Sequence, residues 1–234
     1  MPQNPSQFST QGIILARTDF GEADRMLTFL TPDYGKLKAA AKGVRKAGAK
    51  LAGAIELFSV TDITLVMGRG EVDTLISARL QRHYGNIVKD IERTNTAYEL
   101  LRLTDKSTES RPESTYFDLL NQALEALNDG RIDTELTELW FKMQLLKIAG
   151  HAPNLRNDEG AKKLVQSKAY RFDLDGMCFK AAKKGDFDTD HIKFLRLGFS
   201  NNTPKALQRI DKVKTLINDC LPLIDTILKT YVRI

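Results

Sequence analysis

The repeat of apolar residues changes once along this 234-residue chain, from a period of two to a period near 3.6, at about residue 85. The first period is typical of strands and the second of helices. Before the change, compact β-branched or alternating segments are joined by short, turn-like connections: GIILART, DRMLTFL, KLKAAAK, FSVTDITLVM and EVDTLISARL. Five short strands with no strong helix among them predict a small barrel rather than a βαβ unit.

Beyond residue 85 the apolar residues form helical stripes. One stripe contains Phe117, Leu120, Leu124 and Leu127, and another contains Leu136, Leu139, Trp140, Met143 and Leu146. Thr203 and Pro204 mark the start of a later helix, which Pro222 is expected to kink or interrupt. The expected fold class is α+β in two domains, an OB-fold β-barrel in residues 1–82 and an all-α helical domain in residues 83–234.

Positive charge is concentrated in one segment of the barrel region. Six cations and no anion lie between residues 36 and 50: Lys36, Lys38, Lys42, Arg45, Lys46 and Lys50. Residues 1–80 as a whole carry 10 cations and 8 anions, so the rest of this region has a net charge of −4. A loop that only needs to be soluble mixes both signs, so this basic segment is predicted to bind a polyanion. The alternative is an exposed basic loop with no ligand.

Further features favour nucleic acid as that anion, because five-stranded barrels of the OB type bind single strands across an open face. Weaker candidate contacts in the barrel are Arg17, Arg25 and Arg69. A cationic stripe with helical spacing lies near the C-terminus, at Lys205, Arg209 and Lys212. That stripe is also typical of a solvated outer face. Aromatic candidates for base stacking, for most of which core packing is the alternative, are Phe20, Phe29, Tyr34 and Phe58.

Signatures of catalysis and metal binding are largely absent from the sequence. It contains no phosphate-binding loop, nucleophile elbow or HExxH motif. The three histidines are far apart and match no metal-ligand spacing. The acids Asp19, Glu22 and Asp24 are expected in a solvated turn, with a metal site as the alternative. No catalytic residue, metal or cofactor is therefore predicted.

Cysteine usage and the N-terminus indicate where the protein resides. Cys178 and Cys220 do not suggest a disulfide framework, and they fit a reducing compartment. The N-terminal residues MPQNPSQFST lack the basic flank and apolar core of a signal peptide. No apolar run approaches the ~18 residues of a membrane span. A cytoplasmic location with no membrane contact is expected.

Two stretches of the barrel region closely resemble the N-terminal domain of the RecO family of bacterial DNA repair proteins. They read GIILARTDFGEADRMLTFLTPDYGKLKAAAKGVRK and LAGAIELFSVTDITLVMGRGE. The matching pieces follow one another in order: the GEADR turn, the TPDYGK turn, the AKGVRK segment, the L-x-G-A element and the GRGE turn. The helical remainder resembles the family more loosely, mainly at LLKIAGHAP and in the basic C-terminal helices.

The resemblance implies a recombination mediator and not an enzyme. Members of the family bind single- and double-stranded DNA, anneal complementary strands, and work with RecR to load RecA onto strands coated by single-stranded DNA-binding protein. The basic segment would then neutralise phosphates that make two complementary strands repel each other. A non-catalytic RNA-binding OB protein remains the alternative. A nuclease is disfavoured because a metal-carboxylate cluster is missing.

The chain departs from the family in the region where many members carry a four-cysteine zinc site. This region begins at the GHAP element and retains only Cys178. One thiolate cannot close a tetrahedral zinc site, and no histidine lies at a compensating spacing. The sequence therefore predicts no structural zinc.

The resemblance also implies binding of the acidic, apolar-ended tail of single-stranded DNA-binding protein. A receptor for such a tail needs an apolar groove between helices with a cation at its rim. The candidate residues are Trp140, Lys142, Met143 and Lys147. Relatives often place an arginine where this chain has Leu139 or Trp140. Lys142 is the candidate to replace that positive charge, but a lysine offers a point charge rather than the forked guanidinium that matches a carboxylate. The alternative assigns the apolar residues of this helix to a buried stripe.

Overall fold

The computed structural model describes residues 6–109, 114–157, 164 and 169–232. The chain divides into two compact units, residues 1–128 and residues 129–234. The first unit begins with five strands: β1 (Gln7–Phe20), β2 (Asp24–Thr31), β3 (Gly35–Ala41), β4 (Ser59–Val66) and β5 (Val72–His83). Each strand contains most or all of one of the five segments predicted from the apolar pattern, so the alternation of residues identified the strands correctly.

The five strands form a closed barrel in the order β1-β2-β3-β5-β4. Neighbouring strands are antiparallel, except that β3 and β5 are parallel. In β3, Ala39 and Ala41 face the buried interior and Lys38 faces outward, as the period of two predicted. The closed five-stranded arrangement confirms the expected OB-like barrel.

The interior of the barrel is packed with small and aliphatic side chains around the buried aromatic ring of Phe29. Its buried members are Ile14, Leu27, Phe29, Ala39, Ala41, Val44, Ile55, Ile63, Leu65 and Leu75. Gly12 in β1 makes room for this packing. A Cβ atom at Gly12 would lie 2.8 Å from Cδ1 of Phe29 and 3.1 Å from Cδ1 of Ile63. Glycine is needed there because the ring of Phe29 fills the space that a side chain would take.

Helices α1 (Ile91–Ser107) and α2 (Ser114–Asn128) complete the first unit. Asp90 caps α1, because its side chain accepts the N–H of Arg93 at 3.1 Å. The predicted stripe of α2 is buried at all four positions, which confirms it. Helix α1 contacts β1 and helix α2 contacts β2, so this compact unit extends past the end of the barrel to residue 128. The sequence boundary at residues 82 and 83 stays a prediction.

The second unit is mainly helical. Its helices are α3 (Thr134–Ile148), α4 (Thr189–Gly198), α5 (Pro204–Leu207) and α6 (Val213–Tyr231). Side-chain oxygens of Asp133, Asp188 and Thr203 cap the first three of these helices, and Thr203 precedes a proline as the sequence predicted. Helix α6 runs through Pro222 without a break, so the expected interruption is not observed.

A two-stranded antiparallel sheet, β6 (Ala169–Asp173) and β7 (Cys178–Ala182), also belongs to the second unit. Phe179 packs edge-on against Phe172 and Phe187, with ring centroids 5.1 and 5.4 Å apart. The sequence analysis did not predict this hairpin, because two five-residue strands carry little periodic signal. Among the helices that the structure describes, none is long and apolar enough to cross a membrane.

Candidate nucleic-acid interface

The chain segment that follows β3 is held on the barrel by hydrogen bonds to the turn between β1 and β2. The N–H of Gly43 donates to Oδ1 of Asp24 at 2.7 Å, and the N–H of Arg45 donates to the carbonyl of Ala23 at 2.9 Å. Gly43 has a φ of 66°, in the left-handed region that favours glycine. Val44 is buried and packs with the barrel core. The basic segment is therefore fixed to the barrel at Gly43 and Arg45, directly after its residues in β3.

Three lysines of this segment are exposed and make no side-chain hydrogen bond or ion pair with any residue that the structure describes: Lys42, Lys46 and Lys50. The same holds, within the described part of the chain, for Lys38 on the outward side of β3 and for Arg69 between β4 and β5. Cations without carboxylate partners keep their charge available for an external anion. We call these five sequence candidates the open cations; Arg79 of β5, which the sequence did not single out, is also exposed and has no partner among the described residues.

The arginines around the β1–β2 turn are already paired. The carboxylate of Asp19 accepts from Nε of Arg25 at 2.8 Å and lies 3.3 Å from Nε of Arg45, while Arg17 lies 3.8 Å from Glu56. The hydrogen bond from Arg25, helped by the charges of Arg45 and Arg17, lowers the pKa of Asp19. Three guanidinium groups and two carboxylates leave a net charge of only +1 in this arginine cluster. Its attraction for phosphate is weaker than that of the open cations.

Lys36 is engaged by helix α1. Its Nζ donates to the carbonyl of Asp105 at 2.6 Å and lies 3.2 Å from the carboxylate of the same residue. The side chain of Lys36 is 23% exposed. Although the sequence groups Lys36 with the rest of the basic segment, the structure brings it to an internal partner, so its predicted DNA contact has the least support of the six.

Lys205, Arg209 and Lys212 are exposed but do not share one helical face. Helix α5 ends at Leu207, and Lys212 has a φ of 54° immediately before α6 begins. The helical spacing proposed for these three residues is therefore wrong, because the chain leaves the helix between the first residue and the other two. Their contact with DNA stays a prediction.

Lys142, one of the candidates for binding an acidic tail, is buried in the second unit. Its Nζ lies 2.5 Å from Oε1 of Glu138 and 2.6 Å from Oδ1 of Asp225, which links α3 to α6. Burial alone would lower the pKa of Lys142, but the hydrogen bonds to Asp225 and Glu138 outweigh burial and raise it. The charge of Lys142 is therefore neutralised inside the protein by the carboxylates of Glu138 and Asp225.

The other tail-binding candidates differ in exposure. Trp140 and Met143 are buried, and the indole N–H of Trp140 donates to the carbonyl of Asn202 at 2.7 Å. Lys147 is exposed and donates to the side chain of Asn201 at 3.0 Å. Of the four candidates, Lys147 alone presents its side chain to solvent. Tail binding at this helix stays a prediction.

The described residues contain no group of three or more His, Cys, Asp or Glu side chains that could hold a metal ion. Asp19 and Asp24 bind protein groups, as described above. His83 lies 2.8 Å from the hydroxyl of Ser59, and His151 stacks on Tyr231. Both histidines therefore contact other side chains of the protein.

The region for which the resemblance implies a zinc site in many members is described only in part, because residues 158–163 and 165–168 lie outside the described residues. Cys178 is buried in β7. Cys220 is buried in α6, and burial raises the pKa of its thiol to about 12. A thiol with such a pKa stays protonated at neutral pH.

The sequence matches known families along almost its whole length. Residues 6–84 match the family described as recombination protein O N terminal, and residues 88–233 match the family described as recombination protein O C terminal. The chain belongs to the RecO family. This membership confirms the resemblance seen in the two barrel stretches and extends it over the helices.

Individual relatives in the family agree with this assignment. A protein named DNA repair protein RecO from Dehalococcoides mccartyi (strain ATCC BAA-2266) is 35% identical over 153 residues, which cover 65% of this chain and 60% of the relative. One of the same name from Roseiflexus sp. (strain RS-1) is 38% identical over 166 residues, or 70% of this chain and 58% of the relative. The chain thus spans about three fifths of the length of the curated relatives it matches.

The sequence named Asp19 and Asp24 only as acids of a solvated turn and missed their role in organising this interface. Asp24 positions Gly43, and Asp19 holds Arg25 and Arg45. One signal was available, since these two acids flank the β1–β2 turn close to a segment that has no acid of its own. Opposite charges in such short connections often pair, but only the barrel topology shows which partners meet.

Proposed function

We propose that this chain is a DNA-binding recombination mediator of the RecO family that acts in DNA repair. The observation that carries the proposal is the set of open lysines, Lys42, Lys46 and Lys50, on a segment fixed to the barrel through Gly43 and Arg45. The names of the matched relatives, each called DNA repair protein RecO, support the same role. Unpaired lysines on a fixed backbone suit contact with phosphates, which carry no sequence information.

The proposed mechanism is the annealing of complementary strands by charge neutralisation. Two strands repel each other through their phosphates, and bound cations lower that repulsion without nucleotide hydrolysis. Because Gly43 and Arg45 of the basic segment are hydrogen-bonded to the barrel, binding DNA does not have to order this part of the segment, which reduces the entropic cost of the complex. Contact with phosphate alone suits annealing, since any pair of complementary strands must be accepted.

The family resemblance extends the proposal to partners and location. The chain would bind both single- and double-stranded DNA in the cytoplasm, act with RecR, and help to load RecA onto strands coated by single-stranded DNA-binding protein. Residues 1–82 would serve as the DNA-binding domain and residues 83–234 as a docking domain. Lys147 is the candidate cation for the acidic tail of single-stranded DNA-binding protein, because it is exposed. No chemical step is assigned to the chain.

An annealing assay with the full chain tests this function. Two complementary DNA oligonucleotides with a fluorescent donor and acceptor are mixed in EDTA without ATP, and the rate of energy transfer is followed with and without protein. We expect the protein to accelerate annealing. Acceleration of RNA strands but not DNA strands would favour the RNA-binding alternative. Cleavage of the strands on addition of magnesium would indicate a nuclease, and no effect on either polymer would reject the proposal.

A further inference from the structure

A cavity of about 470 Å³ lies within the second unit, between the chain that follows α3 and the end of α4. It is lined by residues 153–156 and by Arg196, Phe199 and Ser200. Pro153, Leu155 and Phe199 are buried and form an apolar floor. Arg156 and Arg196 are exposed. The cavity thus combines an apolar floor with two guanidinium groups, and we call it the two-arginine cavity.

Both arginines of the two-arginine cavity are held in place by the protein. The Nε of Arg196 in α4 donates to the carbonyl of Leu155 at 2.7 Å, which joins the two walls. The side chain of Asn154 accepts the N–H of Arg156 at 3.0 Å, and the N–H of Asn154 donates to the carbonyl of Met177 at 2.7 Å. The backbone on each side of the cavity is therefore fixed before a ligand binds, which lowers the entropic cost of binding.

The positive charge of the two-arginine cavity is not neutralised by the residues that the structure describes. No acid is among the described residues that line the cavity. Arg156 makes no side-chain hydrogen bond or ion pair within the described part of the chain, and Arg196 donates only through Nε to a neutral carbonyl there. A guanidinium presents its remaining N–H donors in a planar fork that matches the oxygens of a carboxylate or a phosphate. The cavity is therefore complementary to an anion of about two charges.

Charge favours a phosphate monoester over the other common anions. Near pH 7 a phosphate monoester carries about −1.5 to −2 charges and three strong acceptor oxygens. A carboxylate and an internal phosphodiester each carry a single negative charge. In a nucleic acid the monoester occurs only at the end of a strand, and an end can enter a cavity that a continuous strand has to pass over. The apolar floor would then contact the terminal sugar.

We propose that the two-arginine cavity binds the terminal phosphate of a nucleic-acid strand, with the guanidinium groups of Arg156 and Arg196 as the donors. This inference rests on the proposed function and adds a second site to it. The open cations of the first unit contact phosphates along a strand without regard to position. The two-arginine cavity of the second unit recognises where a strand ends.

Four oligothymidylates that carry the same internal label test this inference in binding titrations with the full chain. The first has hydroxyl groups at both ends, the second has a 5′-phosphate, and the third has a 3′-phosphate. The fourth is one nucleotide longer with hydroxyl ends, so it gains a phosphate that is not a monoester. We expect wild type to bind at least one phosphorylated strand about 3- to 30-fold more tightly than the hydroxyl-ended strand. The longer strand should bind within about twofold of the hydroxyl-ended strand, because it adds only one more internal phosphate.

The substitution Arg156→Gln removes one guanidinium that has no described partner, so the fold is expected to persist. This variant should lose the preference for the phosphorylated end and should bind the hydroxyl-ended strand within about twofold of wild type. The matched control is Arg171→Gln in β6, an exposed arginine outside the cavity with no partner among the described residues. It makes the same change in charge and should keep the preference.

The outcomes separate this inference from the function on which it rests. If wild type binds none of the four strands, the proposed DNA-binding function is rejected and this inference with it. If wild type binds all four strands equally, the inference alone is refuted. A preference that persists in Arg156→Gln, or an equal loss of affinity for every strand in this variant, would also refute it. Binding of an acidic peptide with a free C-terminal carboxylate that requires Arg156, without any preference among the strands, would identify the cavity as a peptide site instead.

Discussion

Removing the three open lysines of the basic segment together, as Lys42, Lys46 and Lys50 to Ala, tests the proposed phosphate contacts directly. All three side chains are exposed and have no partner among the described residues, so no described internal contact is lost. We expect each change to alter the free energy of unfolding by less than ~0.5 kcal/mol. Arg45 is left in place because its guanidinium donates to the carbonyl of Gly21 and pairs with Asp19.

The expected effect on DNA binding follows from counterion release. Each contact with a single-strand phosphate contributes roughly −0.7 to the slope of log affinity against log salt concentration, so three contacts contribute about −2. Between about 50 mM and about 200 mM salt, this difference in slope corresponds to a factor of roughly 20. The advantage of wild type over the triple variant should therefore shrink about 20-fold across this range.

Fluorescence anisotropy titrations with a single-stranded oligonucleotide, repeated at several salt concentrations, measure both slopes. The matched control replaces three exposed lysines elsewhere, Lys106, Lys214 and Lys229, with Ala. Both triple variants lower the formal net charge from +5 by three, to +2. The control thus separates local phosphate contact from the effect of overall charge.

Two results would refute the reasoning. A folded triple variant with the slope of wild type would mean that the basic segment contacts no phosphate and serves only as a solvated loop. An equal flattening of the slope in the control would mean that overall charge, rather than the fixed position of the segment, sets the affinity.

Two predictions concern the second unit. Lys142→Met should lower the free energy of unfolding by about 2–4 kcal/mol, because it leaves two partly buried carboxylates without their cation. Denaturation followed by the fluorescence of the single tryptophan measures this loss. The control is Lys147→Met at an exposed lysine, whose free energy of unfolding is expected within ~0.5 kcal/mol of wild type. Equal losses in the two variants would contradict the buried ion pairs of Lys142. Burial alone would lower the pKa of His191, but hydrogen bonds to Asp219 and Asp188 raise it, so its folded pKa lies above the unfolded value of about 6.5. The stability that His191 contributes is fully present below pH ~6.5 and is lost as pH rises through the folded pKa. The substitution His191→Gln should therefore lower the melting temperature more at pH 6 than at pH 8.5. A difference independent of pH would show that the imidazole contributes through packing alone.

Much of the fold was predictable because its signals are local. The alternation in KLKAAAK placed Ala39 and Ala41 inside the barrel and Lys38 outside, since successive residues of a strand face opposite sides. The stripe in α2 identified four residues that prove buried for the corresponding reason in a helix. The weak points were short elements. The hairpin of β6 and β7 was missed because a periodic pattern has too few residues to register there. The single helix predicted from Thr203 through Pro222 is divided in the structure into α5, which ends at Leu207, and α6, which begins at Val213.

For the candidate site, the sequence predicted only which segment carries the positive charge. The absence of acids between residues 36 and 50 marked the segment as a site for an anion, and this is visible without any structure. Phe20 illustrates the limit, because the sequence named it beside three other aromatic residues and had no means of separating them. Burial separated them, leaving the ring of Phe20 exposed while Phe29 and Phe58 entered the core.

The sequence by itself determined the five barrel strands, the stripes of α2 and α3, the membership of the RecO family and the place where positive charge accumulates. Tertiary structure decided which of those charges remain open. Lys36 meets Asp105, a residue 69 positions away, and Arg25 and Arg45 share Asp19, while Lys42 meets no described acid. The physical reason is that periodicity and composition are properties of neighbouring residues, whereas an ion pair depends on distance in space, which only the closed barrel and its packed helices determine.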